Sequence, residues 1–259
     1  MTVKAAMAAS GTSAMHIKTC GLKDRETVDV ALERGASHVG FVHFTRSPRH
    51  LEVAEIAPLR AHVGGRALVA VVLVDPDDRL LDALAEAVRP DILQLHGRET
   101  PERTAEIAAR YPAAVMKALS VGVAADLDAI ARYENVADRI LLDAKKPKGS
   151  ELPGGNGIAF DWRLLGDLSA RADFMLSGGI HAGNVGEAIA SVRPGGLDVS
   201  SGIESAPGVK DAALIHAFFD AVEAARLAQP TPPRPGRLTV GPVAASPAAP
   251  GIVKAGARR

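Results

Sequence analysis

The sequence contains a single cysteine, Cys20, among its 259 residues. One cysteine excludes an intramolecular disulfide and any metal site built from several thiolates, and it indicates a reducing compartment, so we expect a cytoplasmic protein. Aromatic residues make up only 3% of the chain, and 30 basic residues balance 30 acidic ones, so no nucleic-acid partner is predicted. No apolar run approaches the ~20 residues that a membrane span requires, so no membrane partner is predicted either.

Both ends of the chain differ in composition from the middle. Residues 1–15 are small and polar and lack the apolar core of a secretory signal, so we expect a disordered extension there. Residues 229–259 are rich in Pro, Ala, Gly and Arg without periodicity, which predicts a disordered tail. A single folded domain is therefore expected over residues 16–228.

Eight apolar runs recur in this middle part, and each is followed by a segment with helical spacing; the segment after the fifth run predicts one helix over residues 124–133. The runs cover residues 16–20, 38–44, 67–74, 91–96, 114–119, 139–144, 174–176 and 196–199. Several are continuous rather than alternating, as expected of strands buried on both faces, and strict alternation of strand and helix predicts a parallel sheet. Eight such units in about 210 residues favour a closed (β/α)8 TIM barrel over an open, doubly wound sheet.

In a barrel of this kind, functional residues lie at the C-terminal ends of the strands and in the loops that follow. Residues two apart on a strand share a face, so Lys18 should lie beside Cys20, and Asp143 beside Lys145. The polar residues at these ends are Lys18, Cys20, Arg49, Asp75, Gln94, His96, Lys117, Asp143, Lys145, Ser177, Asp198, Ser200 and Ser201.

Two glycine-containing turns follow the last two strands directly. They are Ser177-Gly178-Gly179 and Ser200-Ser201-Gly202. Glycines let backbone N–H groups close around an anion, and the loops after strands seven and eight are the usual phosphate site of this barrel. Either turn alone is equally compatible with an ordinary turn that leads from a strand into a helix. Together they predict a site for a phosphorylated small molecule.

Cys20 and Asp143 are the strongest candidates for proton transfer. Cys20 ends the first strand, and Lys18 on the same face is expected to favour its thiolate, which can accept a proton. Asp143 ends an apolar run, where burial favours the protonated acid. Arg49 is either a surface charge or a clamp for a carboxylate, and His96 is either a structural or a functional histidine. The histidines show no spacing typical of metal ligands, so no metal is predicted.

In their order and in their residues, these motifs resemble those of the phosphoribosylanthranilate isomerase family over about residues 16 to 226. The segments that carry the resemblance are Lys18-Thr19-Cys20-Gly21-Leu22, Gly40-Phe41-Val42 with Ser47-Pro48-Arg49, Gln94-Leu95-His96-Gly97, Leu141-Leu142-Asp143-Ala144-Lys145, Gly154-Gly155-Asn156-Gly157 with Phe160-Asp161-Trp162, Leu176-Ser177-Gly178-Gly179-Ile180 with Asn184-Val185, and Asp198-Val199-Ser200-Ser201-Gly202-Ile203-Glu204 with Pro207-Gly208-Val209-Lys210-Asp211. The third strand, Val71-Val72-Leu73-Val74, departs from the family pattern at no catalytic position.

The resemblance implies an Amadori rearrangement in tryptophan biosynthesis without any cofactor, carried out by a monomer or homodimer. It implies that Asp143 is the general acid and Cys20 the general base. It places Arg49 on the anthranilate carboxylate of the substrate, with Lys18, His96 and Asp198 as further substrate-binding residues. The expected phosphate-binding residues are Gly178, Gly179, Ser200, Ser201 and Gly202.

Two alternatives remain open at this point. One is another phosphosugar enzyme of the same fold, such as indole-3-glycerol-phosphate synthase or a histidine-pathway isomerase. The lone cysteine argues against both, since a carboxylate pair or several Lys and Glu residues would be expected there. The other is a non-catalytic phosphosugar-binding barrel, against which the presence of both Cys20 and Asp143 argues.

Overall fold

A computed structural model of the chain describes residues 15–145, 161–165, 168 and 173–228. The predicted extension, the predicted tail and the segment Gly154-Gly155-Asn156-Gly157 lie outside these residues, apart from Met15, which packs against the core. Among the described residues, no helix combines the length and the apolar character needed to cross a bilayer.

Eight parallel strands form a closed barrel in sequence order, which confirms the predicted fold. The ring closes where Lys18 of the first strand pairs with Asp198 of the last. The strands are β1 (His16–Cys20), β2 (His38–His43), β3 (Leu68–Leu73), β4 (Ile92–Leu95), β5 (Ala114–Val121), β6 (Arg139–Ala144), β7 (Phe174–Leu176) and β8 (Gly196–Val199).

Helices connect successive strands on the outside of the barrel. They are α1 (Arg25–Glu33), α2 (Val53–Val63), α3 (Asp78–Ala87), α4 (Pro101–Arg110), α5 (Ile130–Tyr133), α6 (Val185–Val192) and α7 (Ala212–Leu227). A 3-10 helix, Ala124–Ala129, precedes α5, so the continuous helix predicted over 124–133 is wrong. Another 3-10 helix spans Trp162–Leu165. The starts follow local sequence: Asp24 and Asp77 cap α1 and α3, and Pro101 occupies the first turn of α4.

After β8 the chain forms a short antiparallel hairpin before α7. Its strands are β9 (Glu204–Ala206) and β10 (Val209–Lys210), with Lys210 paired to Glu204. The tip packs on the loop after β2, because a Cβ at Gly208 would lie 2.4 Å from the Pro48 carbonyl oxygen. The hairpin thereby links the last barrel strand to the loop that carries Arg49.

The apolar side chains divide into a core outside the barrel and smaller clusters of strand residues. The main core packs strand residues such as Val39 and Val71 against helix residues such as Val28 and Ile56. A second cluster joins alternate strand positions inside the barrel, namely Ala70, Ile92, Ala114, Met116, Ala118, Leu141 and Met175. Above it, Cys20 packs with Val42 and Val72. The lower barrel is therefore a packed core, and the polar groups collect at its C-terminal end.

Candidate active site

A pocket opens at the C-terminal end of the barrel, where the sequence predicted it. Its lining includes both candidate proton-transfer residues, Cys20 and Asp143. These residues belong to β1 and β6, which stand three strands apart around the closed barrel. A ligand bound between them would therefore meet the two groups from different sides. The other polar and glycine residues of the lining are Ser47, Arg49, Gln94, His96, Ser177, Gly178, Gly179, Asp198, Ser200 and Ser201.

The floor beside Cys20 is an ion pair. Lys18 Nζ donates to Asp198 Oδ1 at 2.8 Å, and neither side chain is more than 5% exposed. Ser177 Oγ donates to the other carboxylate oxygen of Asp198 at 3.2 Å. Burial opposes the charge on Lys18, but Asp198 and Cys20 together raise its pKa above the ordinary value. Lys18 is therefore a cation held directly below the thiol.

The charge state of Cys20 differs from the expectation. Burial raises the pKa of the Cys20 thiol above its ordinary value, and Lys18 lowers it by less than burial raises it. The sequence showed the neighbouring cation but not the burial of the thiol. In the structure Cys20 is only 6% exposed. A buried thiolate lacks the hydration that stabilises the ion in water. The neutral thiol is therefore the ground state at neutral pH.

Gly40 makes the approach of Lys18 and Cys20 feasible. Gly40 is the register partner of Cys20 on β2. A Cβ at this position would lie 2.9 Å from Cys20 Sγ and 3.0 Å from Lys18 Nζ. No role was predicted for this glycine, although the register of the neighbouring parallel strands places it against Cys20.

Asp143 is held by two neighbours. Its Oδ1 accepts the Ala144 backbone N–H at 2.9 Å, and its Oδ2 lies 3.1 Å from His96 Nε2. The other ring nitrogen of His96 lies 3.5 Å from Gln94 Nε2. Asp143 is 2% exposed. His96 thus contacts the candidate acid directly as well as lining the pocket.

Arg49 enters the pocket from the loop after β2. It donates from Nε and Nη2 to the two carboxylate oxygens of Glu204, both at 2.7 Å, and is 5% exposed. A Cβ at Gly21 would lie 2.6 Å from Arg49 Cδ, so the absence of a side chain there makes room for the arginine. The reading of Arg49 as a surface charge is therefore wrong, and its contact with Glu204 was not foreseen.

The two glycine-containing turns lie side by side. Gly178 and Gly179 have positive φ values of 89° and 63°, a conformation that favours glycine. Asn184 fastens the first turn by donating to the Gly179 carbonyl at 2.9 Å. Gly202 does not line the pocket but touches the first turn, because a Cβ there would lie 2.0 Å from the Ile180 carbonyl oxygen. Residues of both turns thus line the pocket.

Two lysines among the polar strand ends lie outside the pocket. Lys117 Nζ binds Glu99 Oε2 at 2.8 Å and the Gly97 carbonyl at 3.0 Å, so it braces the loop after β4. Its neighbour Met116 faces the barrel interior, so alternation turns Lys117 outward. Lys145 pairs with Asp126 and its side chain is 56% exposed, because the strand ends at Ala144. The predicted pairing of Lys145 with Asp143 is wrong.

Three potential metal ligands come together in the loop after β2, although the sequence predicted none. Ligand atoms of His43, His50 and Glu52 lie within 4.8 Å of one another. The Phe44 N–H donates to His50 Nδ1 at 3.0 Å, which places the proton of the neutral ring on Nε2, where it points to Glu52 at 2.9 Å. A protonated nitrogen cannot coordinate a metal. These contacts brace the loop that carries Arg49.

The fold and the pocket define the class: a (β/α)8-barrel enzyme with its polar groups at the C-terminal ends of the strands. The family model described as N-(5'phosphoribosyl)anthranilate (PRA) isomerase matches residues 17–221. The chain belongs to this family, which confirms the predicted family and the isomerase class.

Individual relatives agree with this assignment. The chain is 57% identical over 213 residues to the N-(5'-phosphoribosyl)anthranilate isomerase of Mesorhizobium japonicum, covering 82% of this chain and 97% of the relative. Its fold is similar to that of phosphoribosyl anthranilate isomerase from Thermotoga maritima, with 33% identity, a TM-score of 0.73, and 82% and 100% of the two chains covered. A phosphoribosyl anthranilate isomerase in complex with reduced 1-(o-carboxyphenylamino)-1-deoxyribulose 5-phosphate is 31% identical, with a TM-score of 0.69 and the same coverage.

Proposed function

We propose that this protein converts N-(5'-phosphoribosyl)anthranilate into 1-(o-carboxyphenylamino)-1-deoxyribulose 5-phosphate in tryptophan biosynthesis, with Asp143 as the general acid and Cys20 as the general base. The observation that carries this proposal is the placement of Cys20 and Asp143 in one pocket, on strands three apart around the barrel. Family membership supports the reaction, and the relative bound to a reduced form of the product supports the ligand class.

Ring opening is the first step that the residues must catalyse. Asp143 donates a proton to the ribose ring oxygen while the bond from that oxygen to C1 breaks, and the anilino nitrogen supplies the electron pair that forms the iminium. The Ala144 N–H and His96 hold the carboxyl group by its two oxygens and fix its direction. The acid ends this step as a carboxylate.

Proton removal from C2 is the second step. The thiolate form of Cys20, a minor fraction at neutral pH, takes this proton, and the electrons of the C–H bond move toward the iminium nitrogen to give an enolamine. Protonation at C1 with loss of the C2 hydroxyl proton then yields the ketone. The cationic iminium acidifies the neighbouring C–H bond, and Lys18 below the thiol stabilises the thiolate. The nitrogen is itself the electron sink, so the chemistry requires no cofactor.

Substrate binding is divided between the two ends of the pocket. We assign the phosphate to the turns at Gly178, Gly179, Ser200 and Ser201, with Gly202 packing the two turns together. We assign the anthranilate carboxylate to Arg49, which Glu204 orients. His96 and Asp198 line the space between, and Lys18 acts from below Cys20. A cytoplasmic monomer or homodimer accords with the lone thiol and with the family.

The test is direct conversion of the substrate by the purified full-length chain. Loss of the fluorescence of N-(5'-phosphoribosyl)anthranilate would be followed together with chromatographic separation of the product, which is an isomer of the substrate and has the same mass. Conversion supports the proposal. A protein that binds the substrate without converting it would instead be a phosphosugar-binding barrel, and one that converts only other phosphosugars would be a different isomerase or synthase.

A further inference from the structure

One carboxylate serves two buried cations beside the pocket. Glu204 accepts two hydrogen bonds from the Arg49 side chain, and its Oε1 also accepts from Lys210 Nζ at 2.7 Å. The Glu204 and Lys210 side chains are only 3% and 1% exposed. Burial favours the neutral form of Glu204, but Arg49 and Lys210 together hold the pKa of its carboxyl group below the ordinary value. Glu204 is therefore an anion that locks two cations in place.

Lys210 contacts the turn after β8 in addition to Glu204. Its Nζ also donates to the Ser200 carbonyl at 2.9 Å, and Ser200 Oγ donates to the Cys20 carbonyl at 3.1 Å. Ser200 belongs to the second glycine-containing turn, which lines the pocket. Lys210 thus contacts the turn after β8 directly, and it is linked through Glu204 to the arginine loop and through Ser200 to the strand of the thiol.

The charge of Lys210 is costly at this position. Burial lowers the pKa of Lys210 to about 8, against the opposing effects of Glu204 and Cys20. A buried cation that shares a carboxylate with Arg49 adds positive potential at the pocket wall. A carboxylate of a ligand at Arg49 complements this potential.

We propose that Lys210 is a positioning residue that gives the pocket its preference for ligands carrying a carboxylate in addition to a phosphate. It acts through Glu204, which fixes the direction of Arg49, and through Ser200, which fixes the distance between Arg49 and the turn after β8. This inference rests on the proposed function, in which Arg49 receives the anthranilate carboxylate.

The test compares two ligands by calorimetry on the full-length protein. One is reduced 1-(o-carboxyphenylamino)-1-deoxyribulose 5-phosphate, and the other is the same compound without the ring carboxyl group. In Lys210→Met we expect affinity for the first to fall by about tenfold or more and affinity for the second by less than about threefold. The Michaelis constant should rise more than turnover falls. Lys210→Arg should restore much of the preference, because it keeps the charge.

The matched control is Lys23→Met. Lys23 is exposed and donates to the Pro48 carbonyl at 3.3 Å, so the change removes a positive charge from the same rim without touching Glu204. We expect it to leave the preference intact. Equal losses for both ligands in Lys210→Met, or no loss for either, would overturn the inference.

A titration of the wild type tests the inference without any variant. The groups facing Lys210 are Glu204 on its own hairpin, Arg49 from the loop after β2 and Cys20 from β1. Because the lysine pKa is lowered to about 8, its charge is present below this pH and lost above it. The preference should therefore weaken as the pH rises through about 8 and should persist in Lys210→Arg. A pH-independent preference in the wild type would contradict the inference. Absence of turnover would sink the proposed function separately, because ligand preference is measured by binding.

Discussion

The ion pair between Lys18 and Asp198 contributes to the stability of the barrel and to the charge state of Cys20, and mutation can separate the two contributions. With an effective dielectric constant of about 20, unit charges 2.8 Å apart attract by about 6 kcal/mol. Desolvation of both ions offsets much of this attraction. Lys18→Met leaves Asp198 buried with only Ser177 as a side-chain donor among its described contacts, so we expect the free energy of unfolding to fall by about 3–5 kcal/mol.

The double variant Lys18→Met/Asp198→Asn carries no buried charge at this position. We expect it to lose much less stability than the sum of the two single variants, because neither change then leaves an unpaired ion. Denaturant unfolding of all four proteins measures this coupling. A double variant that loses the full sum would refute the description of the pair as mutually dependent.

The effect on Cys20 is measured on the same proteins. Since Cys20 is the only cysteine, the ultraviolet absorbance of the thiolate, taken as the difference from Cys20→Ala so that the two tyrosines cancel, reports its titration. Lys18→Met should raise the pKa of the thiol further, because Lys18 favours the thiolate. Lys117→Met breaks an equally buried pair with Glu99 and is the matched control. It should destabilise the protein without moving the thiol titration; an unmoved titration in Lys18→Met would contradict the role assigned to Lys18.

Three further predictions concern the single-turnover rate, the titration of Cys20 and ligand binding. Gly40→Ala places a methyl group 2.9 Å from Cys20 Sγ, so we expect the single-turnover rate to fall about 10²-fold with little change in ligand affinity; an unchanged rate would show that the thiol position is not critical. The rate of alkylation of Cys20 by iodoacetamide should keep rising with pH through the ordinary thiol range, because burial raises the pKa of Cys20 and only the thiolate is the reactive nucleophile; a plateau at neutral pH would contradict this. Gly202→Val should raise the Michaelis constant more than it lowers turnover, because the side chain would strike the Ile180 carbonyl and separate the two turns; unchanged affinity for inorganic phosphate would refute it.

The fold could be predicted because its physical signal is local and repeated. Each buried strand is a short apolar run, and several helices begin at a recognisable signal, such as the cap Asp24 or a proline in the first turn, Pro101. The segment 124–133 was misjudged as one helix, because its spacing fits a helix although most of it forms a 3-10 turn. Strand ends were misplaced by a residue or two, as at Phe44, whose apolar side chain extends the predicted run although β2 ends at His43.

The site was harder to predict because it depends on contacts between distant segments. Continuous apolar strands hide which residues face inward, so Lys117 could not be separated from Lys18 by sequence alone. The contact between Arg49 and Glu204 joins residues that are 155 positions apart in the sequence. It forms because the hairpin of β9 and β10 packs on the loop that carries Arg49. The degree of burial, which decides the net shift of the Cys20 pKa, emerges only when the barrel closes.

The two proton transfers proposed for Cys20 and Asp143 can be measured by single-turnover conversion of N-(5'-phosphoribosyl)anthranilate, with enzyme in excess. The wild type is compared with Cys20→Ala and Asp143→Asn. We expect each variant to lose about 10²–10⁴-fold in rate and still to bind the reduced product as the wild type does, because phosphate and carboxylate are held elsewhere. A near-normal rate in either variant, or a rate loss explained by weaker binding alone, would contradict it.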